Sequence, residues 1–446
     1  MAKSTGVVLA KVNFPLYTIQ MVTSHHILVG GGGGSAKTGV ANGFELFELS
    51  HDGKHFYIED KVRHDTGDNV VMNCDIHSSG SNIYVVAGQE NSNQMYKICP
   101  EIIQMNGVPK SDGQSNETTD SSIRKRKEKE NSMDKKKKES KNEKVKKSNK
   151  VKDEDDPTVN ALDGTKNIKF VFKTFDSVLT VSGEGDPLQR VVRLSRMANY
   201  MVTGGTDGHL RLWSFPKMKQ LLHIEAHTKE VDDVDFSISG EQIVSIAKDG
   251  KAFVWNCKNG TLCKELTWTT PGNLKYLFKR CRYGLVEDNP KKNRLFTLVN
   301  PLIQSRKGVS FLQQWDVDAG QLCLAREMSE SLSALAVRDD GRYVAVGTMF
   351  TGSVFVYIAF SLQPLLHVPH AHNMFVTGLE FIPALPKAFT LAPSTISEAA
   401  VLSISVDNRV CLHSLPHRCT ISVQCALLLV FVVVIITFAL LTLLDL

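Results

Sequence analysis

Four segments of this 446-residue chain repeat one strand–turn–strand pattern. Each has an apolar strand, a bend of small residues, a tight Asp-Gly, Thr-Gly or Asp-Asn turn, and a second strand of alternating character. This pattern predicts an antiparallel β-hairpin. The segments start at Val202, Ile243, Val344 and Val401 and end at Trp213, Trp255, Tyr357 and His413. A chain built from such hairpins is restricted to an all-β architecture.

The spacing of the hairpins narrows the architecture further. Trp213 and Trp255 lie 42 residues apart, within the period of a WD-repeat blade. The second unit carries the full blade pattern, with His227 before its first strand, Asp249 in its turn and Trp255 at its end. A histidine, an aspartate and a tryptophan could also indicate catalysis or metal binding. At this spacing we interpret them, together with Trp213, as structural residues that join neighbouring strands.

Weaker units of the same kind bring the number of blades to seven. They occupy residues 27–49, 83–98 and 295–317. Seven blades close a propeller without exposed sheet edges. We expect residues 14–17 to complete the last blade and residues 383–397 to form a loop inserted in it.

A stretch rich in lysine and glutamate interrupts the pattern at residues 109–156, between the second and third predicted blades. It has almost no aromatic residues and cannot bury enough apolar surface to fold. Residues 121–156 hold fifteen Lys and Arg against nine Asp and Glu, so the rest of the chain is near neutral despite a total charge of +5. We expect a disordered, solvated insertion. Its basic clusters at 124–127 and 135–138 also resemble a nuclear-import or polyphosphate-binding signal, and an acidic-lipid contact is a further alternative.

The C-terminal region contains an uncharged apolar run at residues 421–444. Its 24 residues suffice to cross about 30 Å of hydrocarbon. The run is apolar on every face, whereas a helix packed on a soluble core is amphipathic. His417 and Arg418 precede it, and basic residues favour the cytoplasmic side. We therefore expect a transmembrane anchor, with the propeller facing the cytosol.

These observations predict an all-β, seven-bladed WD-repeat β-propeller with a disordered insertion and a C-terminal transmembrane helix. Residues 1–107 would form blades one and two, 108–160 the insertion, 161–416 blades three to seven, and 421–444 the anchor. The nine cysteines are scattered and none forms C-x-x-C, which indicates neither a zinc site nor a disulfide framework. This cysteine usage suits a reducing compartment.

The stretch VGGGGGSAKTGVANG, Val29 to Gly43, is one letter away from a phosphate-binding loop. Such a loop must be followed by a helix, whose N-terminal N–H groups hold the phosphates. Here Gly39 comes directly after Lys37 and Thr38, and an Asn-Gly turn and a segment of strand composition follow. We predict a long, flexible glycine loop between two neighbouring strands, not a nucleotide site.

Several motifs together resemble one protein family. They are FPLY at 14–17, the glycine loop, GGTDGHLRLW at 204–213, GSVFVYIAFSLQ at 352–363 and the C-terminal anchor. This combination resembles the endoplasmic-reticulum guanine nucleotide-exchange factors for the Sar-type GTPase of COPII coats. The resemblance implies that the glycine loop engages the small GTPase and promotes GDP release without covalent chemistry, so the protein would not be an enzyme in that sense. The expected location is the endoplasmic-reticulum membrane.

The resemblance also implies which residues form the site. The GTPase-binding residues would be Gly30, Gly31, Gly32, Gly33, Gly34, Lys37, Thr38, Gly39, Val40 and Asn42, with Asp65 and Asn73 as weaker choices. Family knowledge further implies a potassium ion in the loop, held at Gly33 and Asn42. Consecutive glycines can turn their carbonyls inward because glycine tolerates positive φ. Val40 is expected to project outward as an apolar contact.

Two other classes of function stay open from the residues alone. A DNA-binding transcriptional regulator would use the basic clusters within residues 124–138. A non-catalytic membrane scaffold would bind its partner without changing nucleotide release. The near-neutral remainder of the chain makes nucleic acid an unlikely partner, because nucleic-acid-binding domains carry a basic surface.

Overall fold

The structure is a computed structural model that describes residues 2–3, 6–34, 39–52, 55–80, 82–103, 167–183, 185–286, 289–303, 308–384, 397–417 and 423–443. Within these residues, seven sheets of four or five strands follow one another along the chain. Their innermost strands contact one another in order around a ring, and the last contacts the first. The chain therefore forms a closed, seven-bladed β-propeller, as predicted.

In each of the first three blades the strands follow chain order from the innermost outward. Two short strands precede them, β1 (Ala2–Lys3) and β2 (Val7–Lys11). Blade one contains β3 (Leu16–Met21), β4 (His26–Gly31), β5 (Gly43–His51) and β6 (Phe56–Asp65). Blade two contains β7 (Asn73–Ser79), β8 (Asn82–Gln89), β9 (Ser92–Ile103) and β10 (Asn167–Leu179). Blade three contains β11 (Gln189–Leu194), β12 (Tyr200–Gly205), β13 (His209–Ser214) and β14 (Lys219–Glu225).

The other four blades follow the same order. Blade four contains β15 (Val231–Phe236), β16 (Gln242–Ala247), β17 (Ala252–Asn256) and β18 (Leu262–Glu265). Blade five contains β19 (Tyr276–Val286), β20 (Asn289–Pro301), β21 (Ser310–Asp316) and β22 (Gln321–Met328). Blade six contains β23 (Leu332–Val337), β24 (Tyr343–Thr348), β25 (Val354–Ile358) and β26 (Pro364–Val368). Blade seven contains β27 (Val376–Phe381), β28 (Ala399–Ser405) and β29 (Arg409–Leu415).

The second strand of each blade is buried on both faces, because neighbouring blades pack on either side of it. In β16, for example, Ile243, Val244 and Ile246 are all at most 1% exposed although their side chains alternate between faces. Such strands have continuous apolar runs rather than alternation. This burial explains the apolar strand that opens each repeat.

Blade seven is completed by the N-terminal region, as expected, but not by the expected residues. The fourth strand is β2, which pairs antiparallel with β29. Residues 14–17 instead lead into β3, the innermost strand of blade one. The prediction was wrong by about one strand because both segments are apolar and only the long-range pairing distinguishes them. In addition, β1 pairs parallel with β26 of blade six.

The lysine-rich interruption lies inside blade two and not between blades two and three. The third and fourth strands of that blade, β9 and β10, end at Ile103 and begin at Asn167, and they belong to one sheet. The predicted boundary between blades two and three therefore moves to the segment after Leu179. The insertion predicted at 108–160 lies outside the described residues, and so does most of the loop predicted at 383–397.

A hydrogen-bonded lock joins the strands of blade four. The His227 imidazole contacts the Asp249 carboxylate through Nδ1 at 3.1 Å and the Ser245 hydroxyl through Nε2 at 2.8 Å. The Trp255 indole N–H donates to the same hydroxyl at 2.9 Å. Burial lowers the pKa of His227, which keeps the ring neutral. These contacts agree with the predicted structural role, as does the bond from the Trp213 indole N–H to Thr203 at 3.0 Å.

Blade seven carries the same lock with a histidine in place of the tryptophan. His372 contacts Asp407 through Nδ1 at 3.1 Å and Ser403 through Nε2 at 2.7 Å. The His413 Nε2 atom lies 2.7 Å from the same serine oxygen. His372 Nδ1 faces a carboxylate and therefore donates, so the Nε2 of the neutral ring accepts from the serine hydroxyl. The serine oxygen is then the acceptor for His413, which donates from Nε2. His413 is 1% exposed and its Nδ1 has no hydrogen-bond partner.

A single α-helix, α1 (Val423–Leu443), follows the propeller in the chain. Several of its apolar side chains, among them Leu428, Phe431 and Phe438, are more than half exposed. Among the helices in the described part of the chain, none meets the criteria of length and hydropathy for a membrane span. The transmembrane helix predicted from the sequence is thus not confirmed by the structure.

Candidate functional site

The glycine loop connects β4 and β5, two neighbouring antiparallel strands, as predicted. Its first two glycines belong to the sheet rather than to the loop. A Cβ atom at Gly30 would lie 2.9 Å from both Thr18 and Val71, and one at Gly31 would lie 1.9 Å from the Pro15 carbonyl oxygen. No helix follows the loop, so the phosphate-loop geometry is absent from the residues described here. Gly30 and Gly31 are therefore required for close packing, and the loop itself starts at Gly32.

Asn42 holds the two ends of the glycine loop together. Its Oδ1 atom accepts a hydrogen bond from the Gly34 N–H at 2.9 Å, and its Nδ2 donates to the Gly34 carbonyl at 3.3 Å. The side chain is 3% exposed. Gly32 has a φ of 146°, and a Cβ there would lie 2.1 Å from Asn42 Oδ1. Only glycine fits at this position, because the asparagine occupies the space of a side chain.

A turn from the end of blade one supports Asn42 from the other side. The Asp65 carboxylate accepts a hydrogen bond from the Gly67 N–H at 2.7 Å. The Gly67 carbonyl accepts one from Asn42 Nδ2 at 2.9 Å, and the Thr66 N–H donates to the Asn42 carbonyl at 3.1 Å. The geometry therefore connects Asp65 to the glycine loop through the turn of residues 65–67.

Two of the predicted site residues have different surroundings from those expected. Val40 does not project outward: it is half-buried and packs against the apolar cluster that joins blades seven and one, to which Phe14 and Ile404 belong. The Asn73 amide is paired with Gln189 at 3.1 and 3.3 Å. Asn73 therefore joins the innermost strands of blades two and three. The prediction that Val40 projects outward was wrong because the residues that cover it are distant in the sequence, and the amide of Asn73 has a partner in the neighbouring blade that the sequence did not indicate.

The remaining loop residues differ in their exposure and so in their accessibility to a partner protein. Gly34 and Gly39 both have positive φ, and a Cβ at either would contact none of the described residues within 4 Å. Gly39 is exposed and Gly33 is half-buried. Lys37 and Thr38 lie outside the described residues. The described part of the loop thus offers mainly backbone to a partner.

The loop also offers oxygen ligands to a cation. Asn42 Oδ1 receives one N–H donor and keeps a second lone pair. Gly33, which precedes Gly34 in the chain, also has a backbone carbonyl. Neutral carbonyl oxygens are the ligands that replace the hydration shell of potassium in proteins. These residues fit the potassium ion that the family resemblance implies.

The central channel of the propeller is a second polar region, which the sequence did not reveal. It is a cavity of about 300 Å³ lined by the innermost strands. Its acidic side chains bind the neighbouring blade: Asp75 accepts the Leu194 N–H at 2.7 Å, and Asp235 accepts the Tyr283 N–H at 2.7 Å. Burial raises the pKa of Asp235 to about 7. No group of three metal-ligating side chains occurs among the described residues, and we interpret the channel as structural.

Comparison with known proteins agrees with the observed fold and identifies relatives of the chain. The family model "WD domain, G-beta repeat" matches residues 176–214 and 218–256. The chain is 31% identical over 99% of its length to "Guanine nucleotide-exchange factor SEC12" of Rattus norvegicus, covering 98% of that protein. The same protein of Mus musculus gives 31% identity over 99% of the chain and 98% of the relative. "SEC12-like protein 1" of Arabidopsis thaliana is 24% identical over 44% of this chain and 47% of its own length.

The fold and its hydrogen-bonded locks define a WD-repeat propeller protein with a glycine loop on one face. The identity to the two rodent proteins, which runs over nearly the whole of each chain, gives the family. The chain belongs to the SEC12 family of guanine nucleotide-exchange factors.

Proposed function

We propose that the protein promotes GDP release from a Sar-type small GTPase at the endoplasmic reticulum and so starts assembly of the COPII coat. The observation that carries this proposal is the glycine loop held by Asn42 on one propeller face, in a chain whose relatives are exchange factors. The comparisons give no support to the DNA-binding and scaffold alternatives.

The exchange reaction requires differential affinity and no bond making. The propeller must bind the nucleotide-free GTPase more tightly than the GDP-bound form, and by linkage it then lowers the affinity of the GTPase for GDP by the same factor. A loop that presents backbone groups from a fixed base suits this task, because its ordering cost is already met before binding. The Asn42 amide and the turn of residues 65–67 provide that base.

A potassium ion at Gly33 and Asn42 would supply positive charge and further order to the loop. In the proposal, the Gly33 carbonyl and the Asn42 side-chain oxygen hold it, and the Gly34 N–H fixes the direction of that oxygen. Lys37, Thr38 and Gly39 would follow the ion-ordered segment and face the GTPase.

The first test measures release of fluorescent GDP from a Sar-type GTPase, with the full-length protein in liposomes. We expect release about 10- to 100-fold faster than the spontaneous rate. If the loop binds potassium as proposed, exchange of potassium for sodium at constant ionic strength is expected to slow release, since neutral carbonyl oxygens replace the hydration shell of potassium. Binding of the GTPase without any acceleration would support the scaffold alternative instead. Equal rates in both salts would remove the ion from the proposal while leaving the exchange activity.

We further propose that residues 421–444 anchor the protein in the membrane with the propeller in the cytosol. The support is the uncharged run of 24 residues in the sequence and the exposed apolar side chains of α1. The basic His417 and Arg418 precede the run, as the positive-inside rule requires of a cytosolic flank.

Glycosylation tests this topology in cells. Asn116-Glu-Thr118 matches the N-x-[ST] acceptor. With a cytosolic propeller, Asn116 is expected to stay unmodified, while an acceptor sequence added after Leu446 becomes glycosylated because it reaches the lumen. A glycan at Asn116, detected as a mass shift removed by endoglycosidase, would reverse the topology.

A further inference from the structure

An exposed apolar patch lies on the propeller face that carries the glycine loop. Its members are Phe350, which is 62% exposed, Met374 at 48% and Phe375 at 38%. Phe350 is in the β24–β25 loop and the other two are in the connection from β26 to β27. We call these three residues the blade-six patch. In an antiparallel propeller, the loop between the second and third strands of a blade and the connection to the next blade lie on the same face as the β4–β5 loop.

The blade-six patch stands on a rigid base. Gly352 has a φ of 60°, and a Cβ there would lie 2.2 Å from the His372 carbonyl oxygen and 2.6 Å from that of Met374. The His372 N–H donates to the Gly352 carbonyl at 3.0 Å, and the Ser405 hydroxyl donates to the Phe375 carbonyl at 2.7 Å. The patch is therefore presented in one arrangement and needs little ordering on binding.

Hydrogen bonds connect the blade-six patch to the glycine loop across blade seven. The Asn373 N–H, next to Met374, donates to the Asp407 carboxylate at 3.0 Å. The following residue, Asn408, accepts the Val12 N–H at 2.9 Å. The same N-terminal segment reaches Pro15, whose carbonyl accepts the Gly32 N–H at 3.0 Å. Hydrogen-bonded residues of blade seven and the N-terminal segment thus link the base of the patch to the base of the loop.

The opposite face of blade six provides a comparison. Phe360 lies in the β25–β26 turn and is 68% exposed. Its exposure and residue type match those of Phe350, but it lies on the face away from the glycine loop. The two phenylalanines therefore separate a general effect of an exposed aromatic residue from an effect of its position.

We propose that the blade-six patch is a second contact area for the small GTPase, in addition to the glycine loop. This inference rests on the proposed function. The patch lies on the same face as the glycine loop and is linked to its base by hydrogen bonds, which favours the protein that the loop itself engages as the occupant. Blade seven separates the patch from the blade that carries the loop, and in the proposal the patch contacts the GTPase in the GDP-bound and nucleotide-free forms alike. Such uniform binding affects the concentration dependence of exchange and not its maximal rate.

The test compares full-length Phe350→Glu and Phe360→Glu in the GDP-release assay, with the GTPase concentration varied. For Phe350→Glu we expect KM to rise about tenfold, kcat to change less than about twofold, and Tm to stay within a degree or two because the residue is exposed. Phe360→Glu is expected to match the wild type. Phe350→Ala, which adds no charge, is expected to give a smaller rise in KM in the same direction.

The outcomes distinguish this proposal from the proposed function. If the wild type itself does not accelerate release, the proposed function fails first. If the wild type is active and Phe350→Glu has an unchanged KM, the patch proposal is wrong while the exchange activity stands. A fall in kcat at constant KM would also contradict it. If Phe350→Glu lowers binding to phospholipid vesicles while KM is unchanged, the patch binds lipid and the GTPase assignment is rejected.

Discussion

Replacing Asn42 by alanine is expected to reduce kcat/KM for GDP release by about 100-fold. The substitution removes three hydrogen bonds, two to Gly34 and one to Gly67, from a side chain that is 3% exposed. Each bond contributes about 1 kcal/mol to the order of the loop, and about 1.4 kcal/mol corresponds to a factor of ten. Asn42→Asp keeps the acceptor for the Gly34 N–H and loses both donors. Its kcat/KM is expected to lie between those of the wild type and Asn42→Ala. An assay of fluorescent GDP release measures kcat/KM for all three proteins.

Asn73→Ala is a control for the loss of a hydrogen-bonded side-chain amide that is half-buried. The Asn73 side chain is also paired at both ends, but with Gln189 in the next blade. We expect it to lower the free energy of unfolding by about 1–3 kcal/mol and to leave the exchange rate per folded molecule unchanged. Wild-type exchange by Asn42→Ala, or an equal loss of exchange in Asn73→Ala, would show that the loop base has no special role.

Removal of His413 is expected to change how the stability of the propeller depends on pH. Burial, with a smaller effect of the neighbouring His372, lowers the pKa of His413 to about 3. Between that value and about 6.5, the unfolded chain binds a proton that the folded chain excludes, so folding is weakened as pH falls. Between pH 7 and pH 5, this single group lowers the free energy of unfolding by about 2 kcal/mol. His413→Gln keeps a donor for Ser403, removes the titration, and should abolish that part of the slope.

Denaturant unfolding at pH 7 and pH 5 measures the difference between wild type and His413→Gln. The comparison is made between variants because acidic groups in the channel act in the opposite direction: burial raises the pKa of Glu380 to about 8, which favours the folded state as pH falls. His55→Gln, a change of an exposed histidine on the β5–β6 turn, controls for the loss of one histidine. Parallel slopes for wild type and His413→Gln would mean that folding does not lower the pKa of His413.

The fold could be predicted because each hairpin is recognisable from residues that lie close together in the sequence. The turn of residues 249–250 and the aromatic residue six positions later lie within one unit, and the same signals recur in the others. The two errors concern pairings between distant segments. Nothing within residues 7–11 shows that they pair with β29, and nothing within residues 167–179 shows that they complete a sheet begun before the insertion. Such pairings depend on tertiary context rather than on local pattern.

The candidate site, like the fold, could be predicted where the signal is local in the sequence, and not where it depends on contacts between distant segments. The Asn-Gly turn and Gly39 correctly indicated a loop between strands rather than a strand and helix. The burial of Val40 and Asn73 was not predictable, since Phe14, Ile404 and Gln189 cover them from other elements. The sequence Asp-Thr-Gly at 65–67 indicates an aspartate-capped turn, but its contact with Asn42 depends on how β6 places it. The identity of a site residue was thus easier to infer than its surroundings.

The position of β29 determines how the propeller responds to a mechanical pull from its C-terminal side. This strand precedes α1 in the chain, so a force applied to the helix reaches the propeller through Leu415. Because β2 covers its outer side, β29 is held by hydrogen bonds to β2 and to β28 at once. An edge strand would peel away by breaking one ladder, whereas β29 can leave only if both ladders fail together. The N-terminal segment therefore acts as a clasp that transfers load from the C-terminal side to the whole ring.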